Sequence, residues 1–325
     1  MKTNLKDSLS VNKTLLILSL ITILLGAISC VLGELAIPLI VGVLSALYLF
    51  DTKSKHAFSI VVTVILVALN VAAFILNYSV SLVAPSSIIL ALIISSAFKK
   101  GQSKSDAAYI MTIFSAVFAL VGYLLLAMKE QGAYTFEAAI EYYKQIVDEL
   151  RPLFVDSLSE IYASSGVEVE AELISTIFDR QIGMVISYLL IGGFIVSGIG
   201  MKIFSAIVRK CAADNTEINA WRFSASRVYA YFYVILVIAS IFVTSSDSVF
   251  AVSILNLYNL FLIVFAYVGF NVALDIMKKR AKPVIATIML IGVILLFASF
   301  AIQILAALGT LYSLRRYPAE ETGNQ

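Results

Sequence analysis

A single histidine, His56, and two cysteines, Cys30 and Cys211, are nearly all that this chain offers toward metal or thiol chemistry. Cys30 lies in an apolar run and Cys211 in a short basic loop, far apart in sequence, which argues against a disulfide or a metal site. His56 sits in a loop, which removes the usual zinc and nucleophile–base arrangements. No HExxH, Walker loop or GxSxG occurs. Charge is also scarce: 14% of the 325 residues are charged, against about a quarter in a soluble domain. The middles of the apolar runs hold no ionisable residue, and lone acids such as Asp247 and Asp275 fall at run ends. An intramembrane protease would want two facing aspartates inside the bilayer, and the chain has no such pair. These shortages point away from an enzyme. No cofactor, metal or nucleic-acid partner is expected.

What the chain has is apolar side chain. It is 61% hydrophobic, with mean hydropathy +0.97. One aqueous core cannot hide that much apolar surface, so the bilayer must be the solvent for most of it. Nine apolar runs follow: 14–32, 36–50, 58–77, 80–98, 107–128, 183–208, 228–244, 249–277 and 283–314. About twenty residues of helix cross a membrane. The second run is short, and reads as tilted, re-entrant or shielded by neighbours. Pro85 is expected to kink the start of the fourth run, and Pro283 to open the ninth. The expected fold is an all-α polytopic transmembrane bundle of about nine spans, with eight as the alternative. Three parts are expected: a membrane part at 1–128, an acidic helical hairpin at 129–182, and a second membrane part at 183–325.

Basic residues decide the orientation. With the N-terminus inside, inside loops begin near residues 51, 99, 209 and 278, and all four are basic. Arg315-Arg316 is the exception, since nine spans place it outside. The expected setting is the bacterial cytoplasmic membrane, N-terminus cytoplasmic, hairpin outside.

The hairpin is the one long stretch that no bilayer would accept. It carries eleven acids against four bases, a net charge of −7. Phe136, Ile140, Tyr143, Val147, Leu150, Phe154, Leu158 and Ile161 step by three or four, with Glu137, Glu141, Lys144, Asp148 and Arg151 on another face. That spacing predicts one amphipathic helix of some seven turns, bent near Pro152 and stopped by Ser164-Ser165-Gly166. A second helix from about Glu168 should bury Val169, Leu173, Ile177 and Phe178. The apolar faces need a partner: the other helix, the outer membrane–water boundary, or a cavity to cover.

Inside the spans the polar residues are amides. Asn256 and Asn259 share a face of the eighth run, with Tyr258, Tyr267 and Asn271 near by and Gln303 in the ninth. An amide in hydrocarbon must find a partner. Interhelical hydrogen bonding is the plain reading of the amides, Asn70 in the third run included, and one wall of a substrate cavity, with the two tyrosines, the functional one. Gly193-x-x-x-Ser197 in the sixth run reads as a close helix-packing face. Lys278, Lys279, Arg280 and Lys282 read as a topology signal or a lipid-headgroup site.

A resemblance adds to this. An acidic hairpin precedes a span with a basic end, then Ala220-Trp221-Arg222-Phe223-Ser224, then Leu257-Tyr258-Asn259-Leu260 and Tyr267-Val268-Gly269-Phe270, a basic turn, and Leu308-Gly309. The layout resembles the YybS-like family of bacterial predicted membrane proteins of unknown function. That family is similar, distantly, to the S components of energy-coupling-factor transporters. The resemblance implies a small-molecule binding or uptake protein. The alternative is a non-transporting scaffold or assembly protein that presents the hairpin to an envelope partner. The partners to expect are the lipid bilayer, a small solute, or a membrane protein.

Overall fold

The computed structural model describes residues 5–51, 56–75, 82–211, 216–221, 223–243, 248–279 and 282–315. Among them the chain is all helix, with no strand. Thirteen α-helices are present: α1 (Leu5–Leu32), α2 (Ile37–Phe50), α3 (Ala57–Ile75), α4 (Val83–Lys99), α5 (Lys104–Glu130), α6 (Phe136–Ser164), α7 (Ala171–Gly183), α8 (Val185–Cys211), α9 (Thr216–Ala220), α10 (Arg227–Val243), α11 (Val249–Lys278), α12 (Pro283–Leu296) and α13 (Ala298–Arg315). Six of their segments are long and apolar enough to cross a membrane: Asn12–Cys30, Gly33–Phe50, Ala57–Ile75, Lys104–Glu130, Val185–Cys211 and Val249–Lys278. Four further apolar helices are shorter. The residues expected at Lys53, Lys55, Asn77, Arg222, Asp247, Arg280 and Arg316 lie outside the described residues.

The chain forms two compact units. The first is Met1–Ser175 with Gly192–Arg222, the second Thr176–Ile191 with Phe223–Gln325. In the first, the short second run is buried on every side. Residues from Ile40 through Tyr48 of α2 are all buried. A helix that is apolar all round is a core helix, so α2 is the centre that α1 and α4 pack on. α3 instead turns Ile60, Val61, Val64 and Val71 outward, each more than half exposed. Asp51, fully buried, accepts the Ser59 N–H at 2.6 Å and the Ser59 hydroxyl. It supplies the start of α3 with an acceptor that His56, at φ 64°, does not. Pro85 falls in the first turn of α4, where its missing N–H removes no intrahelical bond, so the expected kink has no cause.

α8 closes on this unit through glycine. A Cβ on Gly193 would lie 2.5 Å from the Thr112 carbonyl oxygen of α5, and one on Gly42 would meet Ile203 at 2.5 Å. Ser197 is fully buried and returns its hydroxyl to the Gly193 carbonyl at 2.7 Å. Gly192 and Gly198 face open space. Gly193→Ala is therefore expected to cost about 1–3 kcal/mol by overpacking. Gly192→Ala should gain up to ~1 kcal/mol of helix propensity. Thermal unfolding of the purified variants separates the two, and equal melting would remove the α5–α8 contact.

α6 starts and stops as its sequence dictates. The Thr135 hydroxyl accepts the Ala138 N–H at 3.2 Å, and Gly166 takes φ +72° just past the end. α7 begins at Ala171, later than expected. Val169 therefore lies before the helix, and Leu173 is 54% exposed while Ile174 and Phe178, one turn apart, are buried. The expected burial of Leu173 is thus corrected by one residue of helical phase.

In the second unit, α11 and α13 pack backbone to backbone. A Cβ on Gly269 would stand 1.8 Å from the Leu305 carbonyl oxygen, and one on Gly309 2.1 Å from that of Phe265. The expected ninth span is not one helix. It breaks at Phe297, φ −128° and ψ 37°. The crossing explains why the two pieces cannot be coaxial. Gly309 is level with Gly269, about 14 Å of helix from Lys278 and about 39 Å from Pro283. The five peptide steps between Lys278 and Pro283 span at most ~18 Å. α12 must therefore leave the axis of α13.

Candidate functional site

Asn256 and Asn259 meet the junction of α7 and α8. Gly183 ends one helix and Val185 begins the next, leaving a carbonyl and an N–H without intrahelical partners. The Asn256 amide donates to the Gly183 carbonyl at 3.0 Å and to its own Val252 carbonyl at 3.0 Å, and its oxygen accepts the Ser187 N–H at 3.1 Å. One side chain thus serves both ends of the break. Asn259 reaches the same turn with a weaker bond, its amide donating to the Met184 sulfur at 3.4 Å. Ser187 is fully buried and donates to the Met184 carbonyl at 2.9 Å.

The other expected cavity residues lie elsewhere. Tyr258 stacks on Tyr233 at 6.2 Å, and Tyr233 on Phe265 at 5.0 Å. Tyr267 meets Phe223 edge to face at 5.2 Å. Asn271 donates back to the Tyr267 carbonyl at 2.8 Å. Gln303 is exposed on α13. The six residues therefore fall into a helix-end clamp, an aromatic core with Asn271 at its edge, and an outer face. Lys278 pairs with Asp275 at 3.7 Å on the surface, while Lys279 and Lys282 are exposed.

Two arrangements in the first unit were not foreseen. The Trp221 indole N–H donates to the Gln102 carbonyl at 2.9 Å, its ring lies against Phe98 and Phe204, and the Lys104 ammonium stands 5.1 Å above it. This ties the loop after α8 to the start of α5 through a cation–π contact. Its only sequence signal was the lone tryptophan. The second is a small cleft among α1 to α4, lined by Gly26, Ser29, Cys30 and Asn70 on the polar side and by Ile40, Leu66 and Val83 on the apolar one. A lone Asn in an apolar run was its signal.

On α6, the Tyr143 hydroxyl donates to the Tyr123 carbonyl of α5 at 2.8 Å. Burial, and then the neighbouring Tyr142 and Tyr123, hold its phenol pKa above the usual value, so it stays a donor. Among the described residues no three His, Cys, Asp or Glu side chains gather as metal ligands would.

The chain matches no curated protein and no solved structure. A family model described as a predicted membrane protein (DUF2232) matches residues 11–311. That covers α8, with its Gly193 contact, and both partners of the Gly269–Gly309 crossing, so the chain belongs to the DUF2232 family of predicted membrane proteins.

Proposed function

We propose that the chain is a non-transporting scaffold of the bacterial cytoplasmic membrane that presents the acidic face of α6, outside the cell, to a partner with a basic surface. One observation carries this reading: Glu137, Glu141, Asp148, Glu149, Asp156 and Glu160 are all exposed on a single helix of 29 residues. Six exposed acids against one exposed base, Lys144, leave the helix strongly negative, and a surface of that charge steers and orients an oppositely charged partner. In this reading the N-terminus is cytoplasmic, the basic ends at Lys99, Lys100 and Lys104 face inward, and the apolar runs make eight crossings plus the broken ninth. With Cys30 and Cys211 replaced by serine, Ser157→Cys should react with an impermeant maleimide on intact cells, and Ser103→Cys only after lysis. The reverse pattern would invert the topology.

A second reading is favoured by the cleft beside Asn70. Its volume of about 10 Å³ holds one water at most, so a small polar solute, as the resemblance to transporter S components suggests, would bind there only after α1 to α4 part. The two readings separate in one comparison. A photo-crosslinking residue at Ser157 should give a discrete adduct in cells, lost when Glu137 and Glu141 are changed to glutamine and Asp148 and Asp156 to asparagine. Absence of any adduct, together with a solute that raises the melting temperature of the purified protein and fails to do so in Asn70→Leu, would sink the scaffold and establish the cleft.

A further inference from the structure

The apolar stripe of α6 is only partly covered by the protein. Ile140 is 41% exposed, Leu150 47% and Ile161 58%, Tyr143, Val147, Phe154 and Leu158 are half-buried, and Ala139 is the only residue of the helix that is buried. Something must cover that stripe, because it lies on one face of a helix whose other face is acidic.

Depth says what covers it. α5 has 27 residues, about 40 Å of helix, against a hydrocarbon core of about 30 Å. Tyr123 stands nineteen residues beyond Lys104, about 29 Å along the helix. With Lys104 at one edge of the hydrocarbon, Tyr123 is at the other. The Tyr143 hydroxyl bonds the carbonyl of that residue, and Gln131 donates to Gln145 at 3.0 Å near by. α6 therefore crosses the far end of α5 at the level where hydrocarbon gives way to headgroups. Glu34, in the polar turn between α1 and α2, marks the same level, since its carboxylate lies 3.5 Å from where a Cβ on Gly122 would be. The outer face of α5 just below is itself apolar and open, at Val117, Leu120 and Val121.

We propose that α6 is an interfacial helix, its Ile140–Tyr143–Val147–Leu150 stripe seated in the lipid headgroup and upper acyl region at the end of α5 remote from Lys104, its acidic face turned to water. The occupant is the bilayer itself, in the manner of amphipathic helices that lie in the membrane plane. Tyr123, Tyr142 and Tyr143 stand where interfacial aromatic belts stand. This rests on the reading that α5 spans, and it leaves the acidic face free for the partner proposed above.

The test uses the full chain with Cys30 and Cys211 replaced by serine, in phosphatidylcholine nanodiscs that carry doxyl groups either high or low on the acyl chain. An environment-sensitive fluorophore is placed singly at Ile140→Cys, Leu150→Cys, Glu141→Cys, Asp148→Cys and Ile113→Cys. The probes at 140 and 150 should lose most of their emission to the high doxyl and less to the low one. Those at 141 and 148 should report water and little quenching. The probe at 113, in mid-α5, should be quenched best by the low doxyl. Deep quenching at 113 with none at 140 and 150 overturns the proposal and leaves the span standing. A blue shift at 140 and 150 without quenching also overturns it, by showing a second copy of the chain over the stripe. Loss of deep quenching at 113 removes the span and the proposal together.

Discussion

Gly269→Ala is expected to part α11 from α13. The added methyl would stand 1.8 Å from the Leu305 carbonyl oxygen and 3.0 Å from the Gly309 nitrogen. Neither is a side chain that can swing aside. Gly309→Ala meets the same obstacle from the other helix, at 2.1 Å from the Phe265 carbonyl oxygen and 2.8 Å from the Gly269 nitrogen. The helices must then separate by more than an ångström along a contact where dispersion and close backbone approach supply the association. Overpacking costs about 1–3 kcal/mol, occasionally more; here the approach of 1.8 Å is closer than the 2.5 Å at Gly193, so a loss of at least ~3 kcal/mol is expected. The aromatic core of Tyr233, Phe265 and Leu305 sits on the same contact and should loosen with it. Gly292→Ala on α12 is the control, because nothing lies within 4 Å of its added carbon. Size-exclusion profiles and thermal unfolding in detergent read the result. If Gly269→Ala melts with Gly292→Ala, the crossing is not formed.

The sequence made the helices legible and left their pairing obscure. Apolar spacing and Gly166 set the limits of α6, and Pro283 the start of α12, to within a few residues, because caps and breakers act through neighbours in the chain. Shielding of α2 by its neighbours is one of three readings that its short run leaves open, beside tilt and re-entry, and its burial from Ile40 to Tyr48 selects it. The α11–α13 crossing is different. Gly269 and Gly309 are forty residues apart, and each alone reads only as a small residue in an apolar helix. The break at Phe297 carries no glycine or proline to announce it. It follows from where α13 must lie once the two glycines meet. The exposed stripe of α6 belongs to the same class, because its periodicity shows that the face is apolar but not what lies against it.

The candidate site divides in the same way. Sequence alone pairs Asn256 with Asn259, three residues apart on one face. Their partners make them unequal. Asn256→Leu would leave the Gly183 carbonyl and the Ser187 N–H without the amide that serves both, in a surround that is mostly apolar. Each orphaned group costs about 1–3 kcal/mol, although measured interhelical bonds in membranes average only ~0.6. A loss of about 2–4 kcal/mol is expected from the single change. Asn259→Leu gives up one N–H···S bond and should cost under ~1 kcal/mol. The double change to leucine should be close to the sum of the singles, since no bond joins the two amides. Equal and small effects at 256 and 259, with loss of response to a solute that stabilises the wild type, would move both residues from a helix-end clamp to the wall of a binding cavity.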